Sequence, residues 1–415
     1  MVRCQAMVHG GACLAHLDGG ETILVDGAIP GELVRARLTH RRGGTWFAAV
    51  DEVIEASPHR TAPPCPYVPE CGGCQLQHID YAHQLELKRG IVLDAMRRQS
   101  VPVPDHLPMH GMDDPWRYRW RGEFHVIAGT EGMAAAGLGF KRAHSWSTIA
   151  VDDCLIHHRA IAGSLPALRQ AVRRGGAAGL TALHLTAGED GSEVLVKPRP
   201  ARQLDASAVD AAATTLPDGL RWNTDSTTLR WRGNTIRVRA ETFIQVNQAQ
   251  MEVLYGLALG RLGDLRGARV VDAYAGIGML SLAIAETAAE VVCIEENRIA
   301  ARLGMLNAEM NRAAARVRYL AVPVEEGLPV AAAQGRIDAV VIDPPRAGCA
   351  GSVVGWLALA GPPRVVYVSC DPATMARDLH ILAASGPYAV EELDVVDMFP
   401  QTHHVEMVAS LRRRE

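Results

Sequence analysis

The feature that most constrains the fold is a regular alternation of strand-like and helix-like segments between residues 269 and 369. Five apolar runs rich in β-branched residues predict strands at Arg269–Tyr274, Glu290–Glu295, Val317–Val322, Asp338–Asp343 and Val365–Ser369, with helices at about 279–287 and 298–311. Two further strands, Tyr388–Met398 and Val405–Arg412, are separated by a short loop and predict an antiparallel hairpin. This pattern indicates a doubly wound parallel sheet that ends in a hairpin, over residues 241–415.

Two regions of different character precede this α/β domain. Residues 1–57 contain short strand-like runs separated by Gly-Gly pairs, which favours a small β-barrel of the OB type. Residues 58–240 begin with a proline-rich linker and look mainly β. A helix at about 81–99 is a candidate to pack against the third region, and a second helix is predicted near 158–174. The chain is therefore expected to be a multidomain α/β protein.

The composition restricts the partners and the cellular location. A net charge of −4 argues against a generally basic nucleic-acid binder. A local basic surface remains open around residues 117–121 and Lys141-Arg142, with a solvated strand face as the alternative. No apolar run approaches the length of a membrane span, and the N-terminal stretch is broken by His, Asp and Gly. We expect a cytoplasmic monomer with no membrane partner.

A glycine-rich turn at residues 270–285, VVDAYAGIGMLSLAIA, is the first candidate ligand site. Gly276 and Gly278 remove Cβ atoms that would block a ligand, but Ser281 stands where dinucleotide-binding loops have a third glycine. Glu295 ends the next strand, where it can accept hydrogen bonds from ribose hydroxyls. This combination favours S-adenosylmethionine, which has no pyrophosphate. Together with the terminal hairpin it is the outline of a class I methyltransferase.

The fourth and fifth strands carry the candidate reactive groups. VVIDPPRAG (340–348) leaves the sheet at two prolines and brings Asp343 and Arg346 to the ligand edge. Cys370 ends the neighbouring strand, and Asp371 can cap the helix that follows. A thiol near a helix N-terminus is expected to have a pKa below its usual value of about 8.5.

A nucleophilic thiol indicates the atom that is methylated. A nitrogen attacks a methyl donor directly and needs no thiol, whereas carbon 5 of a pyrimidine is a poor nucleophile until a thiolate adds to carbon 6. A base must afterwards take the proton from carbon 5, and His403, His404 and Glu406 are the candidates in the C-terminal stretch. We expect the target base to be unstacked or flipped.

Four cysteines have the spacing of a metal site. Cys65, Cys71 and Cys74 lie close together and Cys154 follows much later. A cytoplasmic protein is not expected to contain disulfides. The spacing is compatible with either zinc or an iron–sulfur cluster.

The segments that carry these residues resemble the TRAM-containing uracil-5 RNA methyltransferases, over almost the whole chain. In the family's order they are FIQVN (243–247), DAYAGIG (272–278), DPPRAG (343–348), SCDPATMARD (369–378) and DMFPQTHHVE (397–406). At the N-terminus the glycine-rich opening followed by GELVRARL (31–38) resembles the RNA-binding TRAM module.

The resemblance implies roles for individual residues. Cys370 is implied as the nucleophile and Glu406 as the base. The implied S-adenosylmethionine site consists of Gln245, Tyr274, Glu295 and Asp343, and the implied ligands of a [4Fe–4S] cluster are Cys65, Cys71, Cys74 and Cys154. Phe243 is implied to help hold the flipped base. Met279 and Pro323 depart from polar residues common in the family, which puts the cofactor affinity in doubt.

The leading hypothesis is methyl transfer to carbon 5 of a uridine in RNA, with 23S ribosomal RNA favoured over tRNA because of the combined TRAM and cluster architecture. A nitrogen methyltransferase of the same fold and a non-catalytic RNA-binding iron–sulfur protein are the alternatives.

Overall fold

The N-terminal region forms a six-stranded sheet, as its turn-rich pattern predicts. A computed structural model describes residues 1–104, 106–127, 137–173, 179–189, 191–200 and 218–414. The strands of this sheet are β1 (Val2–Arg3), β2 (Ala6–Met7), β3 (Cys13–His16), β4 (Thr22–Asp26), β5 (Leu33–Arg42) and β6 (Thr45–Glu55), in the spatial order β1-β5-β6-β4-β3-β2. Alternate residues of β4 are buried, Ile23 and Val25 among them, so one face of the sheet covers a small core.

The central region contains a second six-stranded sheet. Its strands are β8 (Arg121–Ile127), β9 (Gly137–Lys141), β10 (Thr148–Ala150), β11 (Leu180–Ala187), β12 (Val194–Pro200) and β13 (Leu220–Trp222), in the order β10-β9-β8-β11-β12-β13. Helix α2 (Arg159–Ala171) begins after His158, whose side chain accepts a hydrogen bond from the Ala160 amide. Leu165 and Leu168 of this helix are buried in the same core as Phe124 of β8. The predicted mainly β character is confirmed.

The C-terminal region contains an eight-stranded sheet in the order β18-β17-β16-β19-β20-β22-β21-β7. The parallel strands are β16 (Arg269–Ala273), β17 (Glu290–Ile294), β18 (Val317–Leu320), β19 (Ala339–Ile342) and β20 (Arg364–Ser369). The helices are α3 (Gln248–Leu262), α4 (Met279–Ile284), α5 (Arg298–Met310), α6 (Val324–Ala333), α7 (Gly351–Ala360) and α8 (Pro372–Leu379). β21 (Tyr388–Val396) and β22 (Glu406–Arg413) form the predicted antiparallel hairpin. The parallel α/β architecture is confirmed.

Segments from the middle of the chain complete this sheet. Short strand β7 (Met109–His110) pairs in parallel with β21. Helix α1 (Tyr81–Arg98) has the bounds that its apolar periodicity predicts, and its Val92 and Met96 are buried in the core of the C-terminal sheet. Helix α1 thus contributes side chains to the core of the C-terminal sheet, and the domain limits 1–57, 58–240 and 241–415 stay predictions.

A separate hairpin, β14 (Ser226–Trp231) with β15 (Asn234–Arg239), lies against helix α5. The Asn307 and Asn311 side chains accept hydrogen bonds from the amides of Arg237 and Thr235, each at 2.8 Å. In the described part of the chain, no helix combines the length and the apolar character that crossing a membrane requires.

Candidate active site

The register of the sheet brings Cys370 and Glu406 to one edge. Cys370 directly follows Ser369, the last residue of β20, so it lies at the carboxyl end of that strand. β22 runs antiparallel to β20 and begins at Glu406, and Ser369 pairs with Met407. Asp343, which follows β19, stands at the same edge one strand away. Carboxyl ends of parallel strands are where such sheets bind ligands.

The turn after Cys370 is built as its sequence predicts. The Asp371 side chain accepts hydrogen bonds from the amides of Ala373 (3.0 Å) and Thr374 (2.9 Å), and Pro372 occupies the first turn of α8. This cap starts the helix without using the thiol. Cys370 is half-buried.

The predicted lowering of the Cys370 pKa is wrong, because the structure raises it to about 11. Burial is the largest cause, and the carboxyl groups of Glu406 and Asp343 add to it, while Arg346 acts in the opposite direction. Burial and the carboxyl groups that adjoin the thiol in space therefore determine its pKa, and not the nearby N-terminus of α8.

Two acidic side chains, Glu406 and Asp343, adjoin the candidate nucleophile, and a third, Asp272, adjoins Asp343. Burial raises the pKa of Glu406 well above its usual value, and the nearby Asp343 raises it further. Burial also raises the pKa of Asp343 to about 6. The pKa of Asp272 rises to about 7, through burial and then through repulsion by Asp343 and Glu295, although the Ser281 hydroxyl donates a hydrogen bond to it. Asp272 was not predicted as a site residue, although a carboxylate within the apolar run VVDA was an available signal.

The glycine-rich turn is held by Glu295. One of its carboxylate oxygens accepts a hydrogen bond from the Gly276 amide at 2.8 Å, and the other accepts one from the Asn297 amide at 2.7 Å. Tyr274 has a φ of 65°, Gly276 one of 55° and Gly278 one of 82°, so the backbone passes through the left-handed region three times. The structure adds a packing role for Gly278, because a Cβ there would lie 2.4 Å from the Tyr319 hydroxyl.

A small cavity of about 60 Å³ opens beside this turn. Its lining includes Phe243, Tyr274, Gly276 and Asp343. Gln245, Gly278 and Glu295 are not part of the lining, but Glu295 reaches it through the Gly276 amide. Gln245 is 2% exposed and its side-chain oxygen has no hydrogen-bond partner. An unpaired buried acceptor and a cluster of carboxyls fit a cationic ligand with polar groups.

The enclosed cavity is smaller than the roughly 300–1,000 Å³ of ordinary ligand pockets. A ligand of the size of S-adenosylmethionine therefore extends beyond it. Of the two residues that depart from the family pattern, Met279 is buried at the start of α4 and Pro323 precedes α6.

The four predicted metal-binding cysteines line one cavity of about 230 Å³. Within the described ranges, no three His, Cys, Asp or Glu side chains converge closely enough to hold a single ion. A tetrahedral zinc site would need sulfur atoms roughly 3.8 Å apart. The four cysteines thus line one cavity without the close spacing of ligands around a single ion.

The same cavity also contains unpaired polar atoms. Both ring nitrogens of His157, which is 3% exposed, and the side-chain oxygen of Gln77 lack hydrogen-bond partners, and both residues belong to the lining. Burial raises the pKa of Cys74 to about 12 and that of Cys154 to about 11. These thiols thus stay protonated unless a cation binds them.

Two histidines near the candidate base are uncharged at neutral pH. Burial lowers the pKa of His403 to about 4 and that of His404 to about 3. His9, in the loop between β2 and β3, lies 5.8 Å from the His403 ring and 3.5 Å from the Asp371 carboxylate. His9 was missed from the sequence, because only tertiary packing brings the N-terminal sheet to the nucleophile.

The basic surface considered around residues 117–121 and 141–142 is largely neutralised. Arg117 pairs with Asp153 at 2.6 Å, Arg142 pairs with Glu70, and Arg121 is buried and donates to backbone carbonyls. Exposed cations also occur on the β5–β6 hairpin, beside the half-buried rings of Trp46 and Phe47, and one of them, Arg41, pairs with Glu21 at 3.1 Å. There the guanidinium of Arg41 lies 5.1 Å from the centre of the Trp46 ring, and His40 stacks on Phe47 at 4.5 Å.

Comparisons with known proteins agree with this geometry. The family model described as tRNA (Uracil-5-)-methyltransferase matches residues 224–414. An uncharacterized RNA methyltransferase of Gloeobacter violaceus is 35% identical, with 99% of this chain and 96% of the relative covered. The 23S rRNA (uracil(1939)-C(5))-methyltransferase RlmD of Hahella chejuensis is 32% identical over 98% of this chain and 95% of its own.

A solved structure shares the architecture. The crystal structure of Pyrococcus abyssi tRNA (uracil-54, C5)-methyltransferase in complex with S-adenosyl-L-homocysteine superposes with a TM-score of 0.75 and covers 99% of both chains. The two sequences are 22% identical, so this likeness concerns the fold.

Proposed function

Since the chain belongs to the family of RNA uracil-5 methyltransferases, we propose that it transfers a methyl group from S-adenosylmethionine to carbon 5 of a uridine in RNA, through a covalent bond between Cys370 and carbon 6. The observation that carries this proposal is the shared edge of the sheet, at which Asp343 and Cys370 follow the neighbouring strands β19 and β20, and Glu406 begins β22 beside β20. A nitrogen methyltransferase would have no use for the thiol at this place.

In this mechanism Cys370 loses its proton and its sulfur bonds to carbon 6 of the uracil ring. The electron pair of the carbon 5–carbon 6 double bond moves into an enolate, and carbon 5 then forms a bond with the methyl group. When bound, S-adenosylmethionine would supply that methyl group from its positively charged sulfonium, and S-adenosylhomocysteine, a neutral thioether, would be the leaving group. Glu406 takes the proton from carbon 5, the double bond returns, and the sulfur of Cys370 leaves.

The raised pKa values suit these roles. A carboxylate whose pKa is raised by burial is a stronger base than an ordinary Glu, which favours removal of a proton from carbon. A sulfonium bound beside the acidic side chains would offset their mutual repulsion and favour their ionised forms. The candidate cofactor residues are Gln245, Tyr274, Gly276, Gly278, Glu295 and Asp343.

We further propose that Cys65, Cys71, Cys74 and Cys154 hold a [4Fe–4S] cluster. In such a cluster each thiolate binds a different iron, so the sulfur atoms stand farther apart than around one ion. Support comes from the shared cavity, its volume and its unpaired polar atoms. Methyl transfer needs no electron, so we assign the group a structural or RNA-related role. A colourless anaerobic preparation with stoichiometric zinc would refute the cluster.

RNA is proposed to contact the N-terminal sheet, as the TRAM resemblance implies. The stacked aromatics and exposed arginines of the β5–β6 hairpin provide the combination that single-stranded nucleic acid needs. We favour 23S ribosomal RNA as the substrate, because relatives named for that substrate align over nearly the whole chain. We also propose that the protein is a cytoplasmic monomer.

Two experiments test the proposal. Mass-spectrometric mapping of 5-methyluridine in RNA from a strain lacking this protein should show loss of one or more methyl groups in 23S rRNA. Loss from tRNA alone would reassign the substrate. RNA containing 5-fluorouridine should form a stable adduct with the native protein, because fluorine at carbon 5 blocks the elimination. The same RNA should form no adduct with Cys370→Ala. Full turnover by Cys370→Ala would refute the mechanism.

A further inference from the structure

The loop that precedes Glu406 is held from outside the sheet. Glu406 pairs with Val396 at the loop end of the β21–β22 hairpin, where residues 397–405 connect the two strands. The position of Glu406 consequently depends on how this loop is fixed. Asp397 is the first residue of the loop and the direct neighbour of Val396.

Helix α1 supplies the side chains that fix it. The Lys88 ammonium donates to the Asp397 carboxylate at 2.5 Å and to the Phe399 carbonyl at 3.1 Å. The Tyr81 hydroxyl donates to the other Asp397 oxygen at 2.8 Å. The side chains of Lys88 and Asp397 are 1% and 0% exposed, so this ion pair is shielded from water.

The middle of the loop has a second attachment to the same helix, through Gln401. The side-chain nitrogen of Gln84 donates to the side-chain oxygen of Gln401 at 3.0 Å. The side-chain oxygen of Gln84 accepts from the backbone amide of Gln401 at 3.2 Å. The Gln401 carbonyl accepts from the amides of Gln75 and Leu76. Gln401 has a φ of 70°, which a non-glycine residue adopts only when its surroundings hold it there.

A buried ion pair of this kind is better suited to fixing geometry than to adding stability. The desolvation of both charges offsets most of their attraction, whereas the short, directional bonds define one arrangement of the loop. The bond joins Lys88 and Asp397, which are 309 positions apart in the chain. Asp397 directly follows Val396, the strand partner of Glu406.

We propose that Lys88 is a positioning residue, which fixes the position of Glu406 by holding Asp397 at the loop end of the β21–β22 hairpin. The inference rests on the proposed function, in which Glu406 removes the proton from carbon 5. Addition of Cys370 and methyl transfer precede that step. A displaced hairpin therefore slows release and leaves the methylated uridine attached to Cys370.

The test compares a charge-free pair with the native protein. Lys88→Met alone leaves a buried, unpaired carboxylate and is expected to fold poorly, so the main variant is Lys88→Met/Asp397→Asn. We expect it to bind S-adenosylmethionine normally and to turn over roughly a hundredfold more slowly. Denaturing gels should show more protein covalently attached to ordinary uridine-containing RNA during turnover. The control is Arg269→Met/Glu290→Gln. These two residues form an ion pair at the N-terminal ends of β16 and β17, away from the candidate site, and the control should show neither effect.

Glu406→Gln, measured in parallel, separates the two proposals. If Glu406→Gln accumulates adduct and the Lys88 double variant does not, the positioning role is overturned while the proposed base stands. Normal turnover of the double variant overturns the positioning role as well. If Glu406→Gln itself turns over normally, Glu406 is not the base, and the role of Lys88 is refuted with it.

Discussion

The thiol of Cys370 should be unreactive in the free protein. Burial and the neighbouring carboxyl groups raise its pKa to about 11, which is about a hundredfold or more in proton affinity above the usual thiol value of about 8.5. Since each unit of pKa is tenfold in the thiolate fraction, alkylation at neutral pH should be about a hundredfold slower than that of an unperturbed thiol. This expectation is the reverse of what the helix N-terminus alone suggests.

Changes in the local charge should restore the reactivity. Glu406→Gln removes the largest charge that raises the Cys370 pKa and should accelerate alkylation, and Asp343→Asn should do so less. A sulfonium bound beside the acidic side chains would offset part of the negative charge that raises the Cys370 pKa, and each unit by which this pKa falls is tenfold in the thiolate fraction. S-adenosylmethionine should therefore accelerate alkylation. S-adenosylhomocysteine, which has no positive charge, should not.

The assay follows iodoacetamide labelling of the peptide that contains Cys370 by mass spectrometry, as a function of pH. Labelling of the same peptide in denaturant gives the intrinsic rate, and the buried Cys349 reports any global opening. A labelling midpoint below pH 9 without cofactor would refute the electrostatic argument. Equal acceleration by S-adenosylmethionine and S-adenosylhomocysteine would refute the role of the sulfonium.

Three further results are expected. Glu406→Gln should accumulate a covalent adduct with unmodified uridine RNA on denaturing gels, because addition proceeds and elimination does not; a variant that releases product normally would exclude this base. The Asp272 pKa rises from 3.8 to about 7 on folding, so its contribution to stability is present below pH 4 and is lost as the pH rises through 7. Asp272→Asn should therefore gain about 4 kcal/mol relative to the native protein over that range in denaturant titrations, and a constant difference would contradict the burial argument. Cys74→Ser should abolish bound iron but leave S-adenosylmethionine binding intact by calorimetry, and unchanged iron content would exclude Cys74 as a ligand.

Local sequence patterns were sufficient for the elements of the fold. The bounds of helix α1 and the five parallel strands follow from apolar periodicity and from glycine turns, which act over a few residues. The residue types of the site were also readable, because a thiol at a strand end and a carboxylate in the terminal hairpin are unusual enough to suggest covalent chemistry. The pairing of β7 with β21 had no local signal in a strand of two residues.

The chain sequence by itself thus determined the parallel sheet, its hairpin and the identity of the candidate groups. Tertiary structure decided how those groups behave. It collected Cys65 and Cys154 into one cavity, joined Lys88 to Asp397, and placed Glu406 and Asp343 beside Cys370. Burial and the electrostatic field depend on neighbours from every part of the chain, so the sign of the Cys370 pKa shift could not be read from the residues that adjoin it in sequence.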